Sequence, residues 1–171
     1  MKFITNILLK LQMQSDGLAS LRPTNKRQFL SWDKIQKIAI IIDNKIPLNK
    51  SAIDKFCLES GRFIEIYYIE LNAKQVSFND WQCFTTKQST IFKLPKKTIL
   101  VELKKKQFDC VINTCLAENL FSVSIMSAIE APLKCSDNND YNQSDLIILK
   151  AQNATIINYL NDVLHYLKMI K

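Results

Sequence analysis

Glycine is almost missing from this sequence, with Gly17 and Gly61 its only occurrences in 171 residues. The phosphate-cradling loops GxGxxG and GxxxxGK[ST] need glycine where backbone amides close on a ligand, and neither pattern can be written anywhere along the chain. Dinucleotide and P-loop chemistry are therefore disfavoured. Histidine is rarer still. His165 stands alone, between Leu164 and Tyr166 in the last helical pattern, and there is no HExxH or close His–carboxylate set, so neither a metal site of ordinary type nor a cofactor is expected. Long apolar runs are also missing. The longest block near the start, residues 3–11, is broken by Thr5, Asn6 and Lys10, well short of the roughly 20 residues that span a bilayer. It has no small-residue cleavage site after it, and a cytoplasmic location is the expectation. Finally, the five cysteines (Cys57, Cys83, Cys110, Cys115 and Cys135) are odd in number and contain no CxxC pair. That fits neither a disulfide framework nor a zinc-ligand pattern, and reduced thiols are expected, with Cys57 on a helix and Cys110 in a strand acting as small buried hydrophobes.

What the chain has in quantity is short apolar blocks, within a composition that is 47% hydrophobic, enough for one domain with a real core. Residues 37–43 read KIAIIID, rich in β-branched side chains and without period-two alternation, which predicts a strand covered on both faces. After Pro47, Asn49 or Ser51 can cap a helix bearing Ile53, Phe56 and Cys57, and Gly61 stands where a left-handed cap would end it. Residues 63–71 (FIEIYYIEL) predict the second strand, completing a strand–helix–strand unit. Further on, the third strand is expected at 90–94, a helix at 98–107, a buried strand at 108–113 (FDCVIN), a helix at 118–129, a last strand at 145–149 and a closing helix from Ile156 to Ile170. Ile40, Ile41, Val111 and Ile112 should be almost fully buried. The alternation predicts an α/β fold: a single-domain, mostly parallel, doubly wound Rossmann-like sheet of five or six strands with helices on both faces, over 37–171. It would be preceded by residues 1–36, an amphipathic helix carrying Ile4, Ile7, Leu8 and Leu11, followed by a linker.

The formal net charge of +7 is unevenly placed. Residues 1–37 carry seven Lys/Arg against two Asp, residues 93–106 carry six Lys against Glu102, and residues 107–149 carry one Lys against six acids. Lys93, Lys96, Lys97, Lys104, Lys105 and Lys106 are thus the candidate binding residues for a protein or RNA partner. The plainer account is a solvated surface, with Lys104, Lys105 and Lys106 complementing the dipole of a helix end. Contact of the first helix with a membrane surface is the weaker alternative, because basic residues do not line its apolar face.

Candidate chemistry gathers at the ends of strands. If 37–43 and 108–113 run parallel, Asp43 and Asn44 emerge on the same sheet edge as Asn113, Thr114, Cys115 and Glu118, where open α/β sheets bind ligands. Asp43, Asn113, Cys115 and Glu118 combine two carboxylates, an amide and a thiol, a set able to support acid–base or nucleophilic work. The same residue types also make turns and helix caps. Cys115 has no histidine near it in the chain. Tyr67 and Tyr68 point to opposite strand faces, and no glycine- and aromatic-rich RNA-binding pattern accompanies them.

The blocks IAIIID (38–43), FDCVIN (108–113) with the helix after it, SDLIIL (144–149) and the closing NYLNDVLHYLKMI helix together resemble an uncharacterised bacterial family of small Rossmann-like proteins, whose last helix carries a YLK tripeptide, here Tyr166 to Lys168. That resemblance implies a fold and no activity. FDCVIN is also similar to the FDxxID strand in the amino-terminal half of heptosyltransferase-like glycosyltransferases, where a glycine-bearing loop follows the first strand; residues 44–48 replace that loop here. Two functions follow as expectations. One is a non-catalytic binding module that uses basic surfaces. The other is a small enzyme or enzyme remnant acting on a sugar, nucleotide or phosphorylated metabolite through the strand-end cluster.

Overall fold

A computed structural model describes residues 28–74, 76–116, 118–137, 144–151 and 154–170. The amphipathic helix expected near the amino terminus lies outside the described residues. Six strands, β1 (Lys37–Asp43), β2 (Phe63–Glu70), β3 (Gln82–Thr85), β4 (Cys110–Asn113), β5 (Leu133–Ser136) and β6 (Leu146–Ile147), form one parallel sheet in the order β3-β2-β1-β4-β5-β6. Four α-helices accompany them among the described residues: α1 (Lys50–Ser60), α2 (Lys97–Lys104), α3 (Leu120–Ala128) and α4 (Ile156–Met169). This is the doubly wound α/β arrangement predicted above.

β1 lies at the centre, paired with β2 on one side and β4 on the other, and its alternate residues enter two separate cores. Ala39 and Ile41 join Leu100 and Leu103 of α2 and Phe121 and Ile125 of α3. Ile38, Ile40 and Ile42 join Ile53 and Phe56 of α1 and Tyr159, Leu160 and Val163 of α4. With both faces covered, an unbroken apolar run is what the position requires. Ile40, Ile41, Val111 and Ile112 are each at most 1% exposed, as expected. Burial of each such isoleucine contributes roughly 1.5–3 kcal/mol. The described part of the lead-in packs on this body: Gln28 donates its backbone N–H to Pro132 at 3.1 Å, and Ile35 is fully buried in the α1/α4 core.

The helix ends follow from single residues. Asn49 caps α1, its Oδ1 accepting from the Ala52 amide at 3.1 Å, and Gly61 closes that helix at φ 64°, a left-handed conformation that glycine adopts without strain. Asn119 caps α3 and Thr155 caps α4 in the same manner.

The third strand is β3 rather than residues 90–94. Those residues, TIFKL, have strand-like composition, yet they fold into a tight turn in which Thr90 donates its N–H to the Leu94 carbonyl at 2.7 Å and Lys93 adopts φ 58°. β5 was not anticipated from the sequence. It is four residues long, begins just after Pro132, and contains Lys134, which is buried. Lys134 Nζ donates to the carbonyls of Met126 at 2.5 Å and Ser127 at 3.4 Å, so the ammonium satisfies the carboxyl end of α3, where a cation complements the helix dipole.

Two carboxylates clasp the sheet at strand starts. Asp109 accepts the backbone amides of Gln36 and Lys37, each at 2.8 Å, joining the start of β4 to that of β1. Asp145 accepts the Lys134 amide at 2.9 Å, joining β6 to β5.

Candidate functional site

In the order 3-2-1-4-5-6 the direction of winding reverses between β1 and β4, and the crevice beyond their carboxyl ends is where such sheets bind ligands. The parallel register pairs Ile41 with Asn113, which places Asp43 and the 113–115 segment together as expected. Asp43, Asn113, Thr114 and Cys115 are 2%, 3%, 1% and 0% exposed. Glu118 is exposed on the turn before α3.

The buried members are bonded to one another and to the backbone. Asp43 Oδ2 accepts from Asn119 Nδ2 at 2.8 Å, and its Oδ1 accepts from the Lys45 amide at 3.1 Å. Asn119 Oδ1 in turn accepts the Ser122 amide at the start of α3, which links the β1 carboxylate to a helix cap. Asn113 Oδ1 accepts the Cys115 amide at 3.1 Å, and Asn113 Nδ2 donates to Ser122 Oγ at 3.4 Å. The Ile41 carbonyl is the hub. It accepts from the Thr114 amide at 3.0 Å, from Thr114 Oγ1 at 2.9 Å and from Cys115 Sγ at 3.8 Å. Lys150 Nζ donates to the Thr114 carbonyl at 2.7 Å from the far side.

These surroundings set the character of the thiol. Burial, reinforced by the nearby Asp43 charge, holds the Cys115 pKa well above the ordinary 9.0, so the sulfur stays protonated near neutrality. A thiol activated by a helix amino terminus would show the opposite shift. His165 lies on α4, with its ring 5.7 Å from that of Tyr166.

Beside this cluster is a cavity of about 510 Å³ lined by Lys45, Ile46, Pro47, Leu116, Lys150 and Thr155, among others. Its size falls within the range of small-molecule sites. Lys45, Lys150 and Asn119 were missed by sequence reading, although the first two each stand one or two residues past a predicted strand. Among the described residues no three His, Cys, Asp or Glu side chains are grouped so as to hold a metal ion, and no helix is long and apolar enough to cross a membrane.

The six candidate lysines divide. Lys93 is in the 90–94 turn, Lys96 is the N-cap residue of α2 and Lys97 its first residue, all three exposed. Lys104 and Lys105 are exposed at the opposite end of α2, about 12 Å away for a helix of this length. Lys106 turns inward. It pairs with Glu65, donates to Gln82 Oε1 at 3.2 Å and stands 5.3 Å from the Tyr67 ring centroid, so its ammonium is engaged within the fold.

A model of a family of unknown function, DUF6913, matches residues 9–170, and the chain belongs to that family. No curated protein and no solved structure is matched by the chain.

Proposed function

We propose that this family member is a non-catalytic binding module that meets a polyanionic partner through the exposed lysines around α2. The observation carrying this reading is the contrast in exposure. Asp43, Asn113, Thr114 and Cys115 have hydrogen-bond partners inside the fold, and the thiol is held protonated. Lys93, Lys96, Lys97, Lys104 and Lys105 face solvent. Binding of this kind weakens steeply with salt, because each neutralised phosphate or carboxylate releases counterions. The test is fluorescence anisotropy with a single-stranded RNA oligonucleotide and with polyglutamate over a salt series. Wild-type protein binds at low salt, and Lys96→Glu with Lys104→Glu and Lys105→Glu weakens binding and flattens the salt slope. Equal binding by both proteins would remove the reading.

A second reading keeps the strand-end residues Asp43, Asn113, Cys115 and Glu118 as a small enzyme or enzyme remnant, with glycosyltransferase-like or other sugar or nucleotide chemistry. The cavity lined by Lys45, Lys150 and Asp137 favours it, since two cations beside one carboxylate and an apolar wall leave a net positive site for a phosphorylated metabolite. A thermal-shift screen of sugar phosphates and nucleotides tests it, because a ligand bound to the native state raises the midpoint by mass action. Stabilisation lost in Lys150→Gln supports the site; a flat screen removes it.

A further inference from the structure

Residues 81–101 contain Lys87, Lys93, Lys96 and Lys97 and not one acidic residue. At the middle of this segment the 90–94 turn projects Ile91, 91% exposed, and Phe92, 44% exposed. Apolar side chains scattered singly over a surface need no explanation, but two adjacent ones in a hydrogen-bonded turn flanked in sequence by exposed lysines are a different arrangement. The turn is built to hold its shape. The Lys93 amide donates to the Thr90 carbonyl at 3.0 Å, the Leu94 amide donates to Thr90 Oγ1 at 3.2 Å, and the Lys96 amide donates to the Gln88 carbonyl at 2.9 Å. Leu94 and Pro95, both buried, root it in the core beside α2. The interior residues of this loop therefore do the packing, and Ile91 and Phe92 are left outside it.

We infer that the 90–94 turn docks the protein on an anionic lipid bilayer, with Ile91 and Phe92 entering the interface and Lys87, Lys93 and Lys96 meeting the head groups. The inference rests on the basic-surface reading above and names its partner. Charge complementarity and the nature of the tip select this occupant. A bilayer interface presents negative charge at the head groups and apolar chains a few ångströms below, and the exposed lysines and the Ile–Phe pair of this segment complement both. Single-stranded nucleic acid would use flat aromatic platforms for its bases, and the more exposed of the two tip residues is an aliphatic isoleucine.

The full chain is co-sedimented with vesicles of phosphatidylcholine alone and of phosphatidylcholine mixed with phosphatidylglycerol. Binding is expected to the mixed vesicles and not to the neutral ones. Ile91→Asp with Phe92→Asp abolishes it, while circular dichroism and the thermal midpoint stay unchanged. Lys87→Gln, Lys93→Asn and Lys96→Gln each weaken it about fivefold, the equivalent of the contribution of one lysine near such a surface; asparagine at position 93 tolerates the left-handed backbone there. Lys55→Gln, at an exposed position of α1, changes nothing. Mixed-vesicle binding that survives both aspartates overturns insertion of the tip, and equal binding to neutral vesicles overturns the role of the lysines. No vesicle binding together with salt-dependent RNA or polyglutamate binding overturns the bilayer as partner and leaves the basic-surface reading standing. Absence of all three overturns both.

Discussion

The crevice beyond β1 and β4 and the turn at 90–94 use polarity in opposite directions. In the crevice, carboxylate, amide, hydroxyl and thiol are turned inward and bonded to one another and to the Ile41 carbonyl. At the turn, an isoleucine and a phenylalanine are turned outward among lysines. Burying polar groups without partners is costly, and the bonds within this strand-end cluster tie β1, β4 and α3 together. Ile91 is 91% exposed, and the bilayer proposed above would give it a partner. The difference teaches that two polar regions of one fold can be used in opposite ways, one turned inward to tie elements together and one turned outward to solvent.

Four measurements break or sharpen this contrast. The largest expected effect is at the hub: Ile41→Ala removes a fully buried side chain from the α2/α3 core and should lower unfolding free energy by about 2–5 kcal/mol in denaturant titration. Asp43→Ala leaves Asn119 Nδ2 and the Lys45 amide without their acceptor and should cost about 1–3 kcal/mol. A loss near zero there would mean that the carboxylate does not tie these elements together. Third, thiols give a pH dependence. Burial, with Asp54 adding to it, raises Cys57 to about 11, and burial, with Asp43 adding to it, raises Cys115 as well. Above pH 9.0 the unfolded thiols release protons that the folded ones keep, so this contribution is complete below 9.0 and stability falls as pH rises toward 11 and beyond. Thermal midpoints measured from pH 8 to 11 check the sign, and alkylation of Cys115 should require unfolding. The smallest effect on stability is at the turn, where Ile91→Asp should shift it by no more than about 0.5 kcal/mol. A large loss would show that the tip belongs to the core after all.

The sequence carried the frame of this fold wherever local and tertiary demands agreed. KIAIIID is apolar on both faces because both faces of β1 are covered, and Gly61 and Asn49 end and start α1 by local chemistry alone. It misled where tertiary contacts decide. TIFKL at 90–94 has the composition of a strand, but its Thr90 bonds close a turn. LKCS at 133–136 contains a lysine that composition assigns to the surface, whereas the carbonyls of Met126 and Ser127 at the end of α3 draw it inside. The shared edge of Asp43 and the 113–115 segment follows from the parallel alternation, since chain direction fixes which ends lie together. Their hydrogen-bond partners, Asn119 foremost, were not legible, because pairing depends on side-chain positions that spacing does not determine. Asp109 was quoted as part of a strand motif, and its clasp on the β1 amides gives that aspartate a structural use.

The central position of β1 also has a consequence for synthesis on the ribosome. Its pairing with β2 spans 26 residues, Lys37 with Phe63, whereas its pairing with β4 spans 72, Ile38 with Cys110. At a chain elongation rate of about 5–20 residues per second, β1 and β2 can associate seconds before β4 emerges. During that interval one edge of a strand that is apolar on both faces is open, an invitation to pair with another nascent chain. The two sheet partners of β1 thus arrive as an early and a late event, and the yield of folded protein in a cell should depend on how well that edge is shielded until β4 closes it.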